Sequence, residues 1–475
     1  MSEYLLLFPI LIPFLGAFFV LISKNDKNYS YSNIYNVAIW SLISNVITIL
    51  YVFSKLDVER SGIQIVEKYS WLKFPPMDIL LGTDVFSMLL LLGINFSFLV
   101  AEFCIDRTTP RAKILIISEL LFISLVNGYL LSADIISLYM FFASISMPLI
   151  ILISTYGSFR KKNILIRFSL YSFIGTFLLF IAIVMIYNLK SGNIPLNTVA
   201  NINIHSEIQY FIWFSIFFAL ISRMPVWPFH YWITSINSTL KNPLVFIIGN
   251  LIPLVGLYGF IRFWPNTVPE IVERYSLLFA SICVATMLFM SIISINHKDF
   301  RYKLYIYITI YYLFYLIGIF LPTSILKLNI GYSLFSFLII ITNLSFLISH
   351  IEKQKKKLNL YAGLGILCYM PKASKCISLL VLAGIGLPIT PLFWNNFIIL
   401  TEIFNYNLIL GTLVMFSLFV IAVSLLEELY RMKDKNFASS SCVLGVDLAN
   451  NQFVLYITCI IILFFSFFKP LWFIF

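Results

Sequence analysis

The sequence predicts an all-α polytopic membrane protein with about fourteen transmembrane helices. Apolar runs of about 18 residues or more recur along the whole chain, and each is long enough to cross the roughly 30 Å hydrocarbon core of a bilayer. Of the 475 residues, 60% are hydrophobic and only 11% are charged, and the mean hydropathy is +0.95. Soluble globular proteins carry about twice that share of charged residues, so this composition excludes a soluble class.

The predicted spans follow one another at short intervals. The first follows Glu3 and has neither a basic start nor a small-residue cleavage site, so it is interpreted as a retained span and not as a signal peptide. The longest polar stretch between spans is 54–79. The predicted ranges are 4–22, 34–53, 80–101, 112–131, 133–154, 164–187, 208–224, 243–263, 275–295, 303–321, 328–349, 376–400, 405–425 and 453–474.

The basic residues are distributed unevenly between the two sets of loops. Loops after odd-numbered spans, counted with the charges at the span edges, hold 23 of the 32 lysines and arginines, and loops after even-numbered spans hold 8. Basic residues concentrate on the cytoplasmic side of membrane proteins. The distribution therefore predicts cytoplasmic odd loops and both termini outside a bacterial inner membrane. It also accounts for the net charge of +11 without a nucleic-acid partner.

A proline-interrupted stretch lies at residues 218–232, FALISRMPVWPFHYW. Proline lacks an amide donor and clashes with the preceding turn, so Pro225 and Pro228 predict a helix that kinks or breaks. Arg223 places a charge in the same stretch, and such a charge is tolerated only within protein or beside water. Two interpretations stay open. One is a helix that ends at the interface with a snorkelling arginine, and the other is a discontinuous helix on a transport path.

A second interrupted span, residues 384–396, lies five spans further on and contains Pro388 and Pro391. Broken helices in corresponding positions indicate an internal repeat, and a repeat of five spans must be inverted relative to its copy. Spans four to eight and nine to thirteen then form two inverted five-helix units. The predicted organisation is spans one to three with an exterior loop, the first repeat, the second repeat, and a loop with the last span, at 1–110, 111–265, 266–425 and 426–475.

Cofactor motifs are not visible in the sequence. It contains no phosphate-binding loop, no dinucleotide fingerprint and no cysteine–histidine cluster, and no nucleophile in a catalytic setting. The six cysteines lack metal or disulfide spacing, which favours buried apolar thiols. They are Cys104, Cys283, Cys368, Cys376, Cys442 and Cys459. We therefore expect neither a bound cofactor nor a metal in this chain, and no unassisted enzyme.

Several short motifs recur in a fixed order between about residues 80 and 400. They are GTDVFS at 82–87, DIISLYMFF at 134–142, MPVWPFHYW at 224–232, YGFIRF at 258–263, DFR at 299–301, MPK at 370–372 and GLP at 386–388. In this order they resemble the antiporter-like membrane subunits of respiratory complex I and of multi-subunit cation/proton antiporters. Their detail is most similar to the chain M branch of NADH:quinone oxidoreductase. The motif at 224–232 is the most specific of the set.

The resemblance implies a fourteen-helix fold and a proton relay at mid-membrane. In the family, a glutamate in span five pairs with a lysine in the broken span seven, and further lysines or a glutamate continue the path to span twelve. A carboxylate and an ammonium in a low dielectric shift each other's protonation, so moving one charge moves a proton. Redox cofactors belong to partner subunits, so this chain would sit among other membrane subunits in the bilayer.

The sequence departs from the family at its titratable positions. Arg223 stands where the family has the lysine of span seven, and arginine does not release its proton in proteins. The other titratable positions hold residues that carry no charge: Ala143, Ser235, Asn237, Thr239, Leu254, Tyr332 and Asn396. The sequence therefore predicts that the usual relay is impaired.

Arg223 needs a partner if it lies at mid-membrane, because an isolated charge there costs several kcal/mol. Glu119 in span four and Asp134 at the start of span five are the predicted partners, although Glu119 also fits a solvated position near an interface. His230 is interpreted as capping or packing the broken helix, with a place on a proton path as the alternative. Asp299 is interpreted as a helix-start acid that favours the helix dipole, with proton entry as the alternative.

Three functions remain open. The first is a membrane subunit of a proton-translocating NADH:quinone oxidoreductase, or a paralogue that keeps its shape, with electron transfer in other subunits. The second is a subunit of a monovalent cation/proton antiporter, and the third is a non-transporting membrane scaffold. The motif detail favours the first, and the lost titratable positions favour the third as a description of mechanism.

Overall fold

The structure is a computed structural model whose described residues form seventeen α-helices and one β-hairpin. It describes residues 4–23, 32–60, 62–72, 77–105, 107, 109–157, 161–190, 195–196, 206–239, 242–263, 269–321, 326–357, 365–434 and 447–465. The elements of the first half are α1 Phe8–Ile22, α2 Ser32–Phe53, β1 Ile65–Leu72, β2 Met77–Thr83, α3 Val85–Cys104, α4 Ala112–Leu131, α5 Ile135–Ser144, α6 Ser146–Tyr156, α7 Lys161–Lys190 and α8 Ser206–Ile221. Those of the second half are α9 Tyr231–Thr239, α10 Pro243–Phe263, α11 Pro269–Asn296, α12 Phe300–Phe320, α13 Leu326–Lys357, α14 Pro371–Ile385, α15 Pro391–Tyr406, α16 Leu408–Lys433 and α17 Asn450–Phe465.

The prediction of a multi-pass helical membrane protein is confirmed. Within the described ranges, 10 helices are long and apolar enough to cross a bilayer. The other predicted spans correspond to shorter apolar helices, at Phe8–Ile22, Ile208–Ile221 and Asn450–Phe464, and to the broken pair of α14 and α15. The total of fourteen spans and the inverted repeat therefore stay predictions.

The predicted exterior stretch contains strands, so the prediction of an all-α chain is wrong there. Strands β1 and β2 pair antiparallel, with Tyr69 opposite Ile79. The buried Glu67 carboxylate on β1 accepts hydrogen bonds from the Leu5 and Leu6 amides, at 2.7 and 3.1 Å, just before α1 begins. The strand therefore supplies an acceptor to two amides of the turn that leads into α1. Burial, with the hydrogen bond to Glu67, raises the pKa of the Tyr69 phenol.

Two helices form the centre of the bundle. Nearly every residue of α10 and α12 is buried, whereas α2 and α7 present large apolar side chains such as Trp40 and Phe173 to the outside. The α10 helix packs against α8 and α9, and α12 packs against α13, α15 and α16. Each inner helix therefore touches one of the two proline-interrupted segments, which places both breaks against the core.

Two ion pairs join helices at opposite ends of the bundle, one of them buried and the other partly buried. At the end where α3 begins and α10 finishes, Arg262 donates two hydrogen bonds to Asp84, at 2.8 and 2.9 Å. At the end where α12 begins, the Lys303 Nζ lies 3.3 Å from the Glu428 carboxylate of α16 and donates to the Ser424 carbonyl at 3.0 Å. Lys303 is fully buried, so its charge is balanced within the protein.

Replacing Lys303 with methionine should lower the free energy of unfolding by about 3–5 kcal/mol, because it leaves Glu428 as a buried charge without its lysine. The double variant K303M/E428L should regain most of that loss, since apolar side chains of similar size often replace a buried ion pair at little cost. Thermal unfolding of the purified chain in detergent measures both.

The matched control is Lys68→Met, which breaks an exposed pair with Asp78 on the hairpin and should leave the unfolding curve unchanged. Equal melting of K303M and wild type would show that the buried pair does not hold α12 against α16.

Candidate functional site

The first break separates α8 from α9. The α8 helix ends at Ile221, and α9 begins at Tyr231, with a cis peptide bond between Trp227 and Pro228 in the connection. Pro225 has no amide to donate to the Ile221 carbonyl, and the Met224 amide bonds to that carbonyl instead, at 2.9 Å. The helix therefore stops where the prolines predict.

Arg223 lies in this break with its side chain directed into the bundle. It is 1% exposed, and its guanidinium donates to the Ser172 hydroxyl at 3.2 Å, the Ser146 hydroxyl at 3.1 Å and the Phe142 carbonyl at 3.2 Å. The same guanidinium lies over the Phe142 ring, 4.7 Å from its centroid. Its Nε has no hydrogen-bond partner among the described groups. The charge is thus met by neutral oxygens and an aromatic face.

The predicted pairing of Arg223 with Glu119 or Asp134 is wrong. In the part of the chain that the structure describes, no carboxylate lies within 4.0 Å of the guanidinium. Asp134 instead caps α5: its carboxylate accepts from the Ser137 amide and the Leu80 amide, both at 2.9 Å, and from the Ser137 hydroxyl. Three donors satisfy that carboxylate, so it has no need of a cation.

Glu119 is fully buried in α4, so the alternative of a solvated interfacial position is also wrong. Its carboxyl group faces that of Glu102 on α3, within hydrogen-bonding reach. This neighbour, and not Arg223, decides the environment of Glu119.

Ala143 stands at the span-five position where the resemblance implies a glutamate. The polar groups around it are its own backbone carbonyl and the Ser146 hydroxyl. Ser146 donates to the Ala143 carbonyl at 3.1 Å and accepts from Arg223, so its hydroxyl bridges the two positions. The span is interrupted beside it, between α5 and α6, because Pro148 has no amide to bond to the Ser144 carbonyl. The oxygens available to Arg223 at this point are therefore uncharged.

Leu254 occupies a fully buried, apolar position in the central helix α10. One residue on, the Val255 carbonyl accepts from the Tyr129 hydroxyl at 2.9 Å. Tyr258, one turn from Leu254, donates to the Leu130 carbonyl and accepts from Arg262 at 2.9 Å. Two phenols from α4 and α10 therefore occupy this level of the bundle, between Arg223 and the Asp84–Arg262 pair.

The second break separates α14 from α15. Neutral groups donate hydrogen bonds to the two carbonyls that its prolines leave without a helical donor. Pro388 leaves the Gly384 carbonyl without its helical donor, and the hydroxyls of Tyr307 and Tyr311 on α12 both donate to it, at 2.9 Å. Gly386 has a φ of 94°, a left-handed conformation that suits a residue without Cβ. Pro391 has no amide hydrogen to donate to the Leu387 carbonyl. The Thr390 hydroxyl and amide donate to that carbonyl instead.

Asn396 lies just inside α15, where the family has its last titratable group. The Tyr315 hydroxyl faces both the Asn396 side chain and the Ser333 hydroxyl, and none of the three groups carries a charge. Tyr332 is half-buried on α13 beside Ser333. The second break therefore contains a polar cluster, but its side chains exchange no proton near neutral pH.

The remaining predicted residues lie apart from Arg223. His230 is half-buried at the end of the first break, where its ring contacts Phe289 on the neighbouring helix α11. Asp299 is exposed at the start of α12 and makes no side-chain cap hydrogen bond. Ser235 lies on α9 and bonds to the Tyr231 carbonyl. The side chains of Asn237 and Thr239 lie outside the described residues. A role in proton movement stays a prediction for His230 and Asp299.

The sequence analysis did not identify several buried titratable residues that the fold brings together. Lys303, Glu428 and Glu102 each stand near one end of a predicted span, where an isolated charge reads as interfacial. Only the packing of α12 against α16, and of α3 against α4, places them side by side. Opposite charges at equivalent depths of two spans were the available signal for Lys303 and Glu428.

Among the described residues, no three histidines, cysteines or acids come together in a cluster that could hold a metal ion. Four of the described cysteines are buried and one is half-buried, all with free thiols: Cys104, Cys283, Cys376, Cys459 and Cys368. Cys442 lies outside the described residues. The absence of a cofactor site from the chain as a whole stays a prediction.

Comparison with known proteins places this geometry in context. Residues 132–422 match the family model described as NADH:quinone oxidoreductase/Mrp antiporter, TM. The chain is 24% identical over 423 residues to NADH-quinone oxidoreductase subunit M of Rickettsia prowazekii, covering 88% of this chain and 86% of that protein. It is 23% identical over 465 residues to NADH-ubiquinone oxidoreductase chain 4 of Marchantia polymorpha, covering 95% and 91%.

Two solved structures share the fold. A chain of respiratory complex I from Thermus thermophilus superposes with a TM-score of 0.84 at 18% identity, covering 99% of this chain and 96% of that one. A chain of the membrane-bound sulfane sulfur reductase, an archaeal respiratory membrane complex, gives the same score and identity, covering 99% and 95%. Both are chains of multi-subunit membrane complexes, and the likeness establishes the fold.

Replacing both Tyr307 and Tyr311 with phenylalanine should destabilise the chain by about 1–3 kcal/mol, because the Gly384 carbonyl is then buried without a donor. Either single variant should cost much less than half of that, since the other phenol still donates. Thermal unfolding of the purified chain measures this non-additivity.

The control is Tyr312→Phe on the same helix. Tyr312 is equally buried, but its hydroxyl has no partner among the described groups, so the variant should melt at or above the wild-type temperature. Additive single-variant losses, or a loss in Tyr312→Phe as large as in the double variant, would contradict the role given to the two phenols.

Proposed function

Since the chain belongs to the NADH:quinone oxidoreductase/Mrp antiporter transmembrane family, we propose that it is a membrane subunit of an assembly like respiratory complex I, in which it does not carry the family's usual proton relay. Similarity to the relatives named subunit M and chain 4 supports membership of such an assembly. The described residues around the two broken helices support the loss of the relay.

The observation that carries the proposal is the environment of Arg223. A relay passes a proton by exchanging it between groups that gain and lose it near neutral pH. Arginine keeps its proton, and the oxygens within its reach belong to Ser146, Ser172 and a backbone carbonyl. No described carboxylate pairs with it, so a displaced charge has nowhere to move along this part of the chain.

The later positions of the family's path support the same conclusion. Leu254 is apolar and buried, and the second break contains Asn396 with phenols and hydroxyls. Neutral hydroxyls can hold water molecules in a line, but they do not store a charge that could couple one step to the next. The chain therefore contributes the shape and helix contacts of an antiporter-like subunit, and redox cofactors belong to its partner subunits.

The charge distribution between loops supports a bacterial cytoplasmic membrane, with both termini on the exterior side. In that orientation the Asp84–Arg262 pair lies toward the exterior, and the Lys303–Glu428 pair lies toward the cytoplasm. Both pairs join helices of different sequence regions, which suits a chain whose first task is to keep its shape within an assembly.

Purification of the tagged chain from its native membranes in mild detergent tests the assembly. We expect flavin-containing and iron–sulfur subunits to co-purify, identified by mass spectrometry and by their absorption spectra. Recovery with small antiporter subunits alone would assign the chain to a cation/proton antiporter. Recovery without any partner would leave a lone membrane protein and contradict the proposal.

The loss of the relay is tested in membrane vesicles that contain the whole assembly. Arg223→Gln and Arg223→Lys should leave the number of protons moved per electron transferred unchanged, because the wild-type residue does not pass protons. The control is Arg274→Gln, which removes an exposed arginine from α11. A lower ratio in either Arg223 variant, with electron transfer continuing and the control unaffected, would show that Arg223 belongs to a working relay.

A further inference from the structure

Two glutamates form a buried contact outside the broken helices. Glu102 lies in the last turn of α3, and Glu119 lies in the second turn of α4, about 10 Å along the helix from its start. Glu102 is 3% exposed and Glu119 is fully buried. Their carboxyl groups face each other within hydrogen-bonding reach.

These carboxyl groups receive no other hydrogen bond. All four carboxyl oxygens lack a donor among the described groups, and neither residue belongs to an ion pair there. The charged group that acts on the pair from outside is Arg107, which is exposed in the turn after α3. Cys104, two residues beyond Glu102, faces Tyr456 and Cys459 of α17 instead.

Glu67 is a buried carboxylate of the same chain whose oxygens accept hydrogen bonds, and it serves as a comparison for Glu102 and Glu119. It is 6% exposed, much like Glu102, but it accepts hydrogen bonds from the Leu5 and Leu6 amides and from the Tyr69 hydroxyl at 2.6 Å. Glu102 and Glu119 have only each other. The difference between these sites lies in the available donors and not in the degree of burial.

A contact between two carboxyl groups requires a proton or a cation. Ionised carboxylates only accept hydrogen bonds, so two of them cannot bond to one another. Two like charges in contact in an apolar interior also repel strongly, and one of the two then keeps a proton. A single proton satisfies one oxygen of each group, because one carboxyl donates and the other accepts.

We propose that Glu102 and Glu119 form a proton-binding site, in which the two carboxyl groups hold at least one proton between them at neutral pH. The site joins α3, which lies outside the first predicted repeat, to α4, which begins that repeat. Release of the proton leaves two unscreened negative charges between the helices, so the proton stabilises their packing. This site does not depend on the proposed function, because it uses none of the residues around Arg223.

Infrared spectroscopy of the full-length chain in lipid vesicles tests this site, because a protonated carboxyl group has a carbonyl stretch that a carboxylate lacks. At neutral pH we expect this band in the wild type, and we expect the E102Q/E119Q variant to lose an area equal to at least one carboxyl group per chain. Glutamine keeps the side-chain shape, and the single variants E102Q and E119Q serve if the double variant does not fold.

The matched control is Glu67→Gln, which removes an equally buried carboxyl whose oxygens already have donors and should leave the band unchanged. A wild-type spectrum without the band, or a band of equal area in wild type and E102Q/E119Q, would overturn the proposal. Replacing choline chloride with sodium chloride should leave the band unchanged. Its loss in sodium would assign the site to a cation and would equally overturn the proposal.

Discussion

The guanidinium of Arg223 imposes the constraint on which the first half of the bundle depends. A charge at this depth needs hydrogen-bond acceptors, and the chain provides them without a carboxylate. Ser146 and Phe142 come from the interrupted fifth span, and Ser172 comes from α7. Close approach of α7 is possible because Gly175 has no Cβ, which would lie 2.0 Å from the Ser222 hydroxyl. The break, the serines and this glycine therefore belong to one arrangement.

The second break shows the same preference for neutral groups. Proline frees carbonyls at both breaks, and phenols, hydroxyls or nearby amides satisfy them. Charged pairs lie instead toward the ends of the bundle, as Asp84 with Arg262 and Lys303 with Glu428. Ion pairs toward the ends and neutral oxygens around both breaks are the arrangement on which the proposed loss of the relay rests.

Much of this architecture could be predicted from the sequence because it depends on local physics. Apolar length defines most spans, and proline defines both breaks, since each acts within one helix. The hairpin was not predicted because its strands are short and lie beside polar residues, in a stretch whose composition is typical of a loop. The hydrogen-bond partners of Arg223 were not predicted for a different reason. Arg223 could be assigned an acid only by proximity in span order, and the actual acceptors include a backbone carbonyl, which every residue carries.

The distance from the Arg223 guanidinium to the nearest carboxylate in the native membrane assembly decides whether this arginine is paired with an acid. Electron cryomicroscopy of the purified assembly, at a resolution that shows side chains and ordered water, measures that distance directly. We predict contacts to Ser146, Ser172 and the Phe142 carbonyl, with no carboxylate of this chain or of a partner subunit within about 4 Å, the range of an ion pair. A carboxylate bonded to the guanidinium, most directly at the Nε that lacks a partner here, would contradict it.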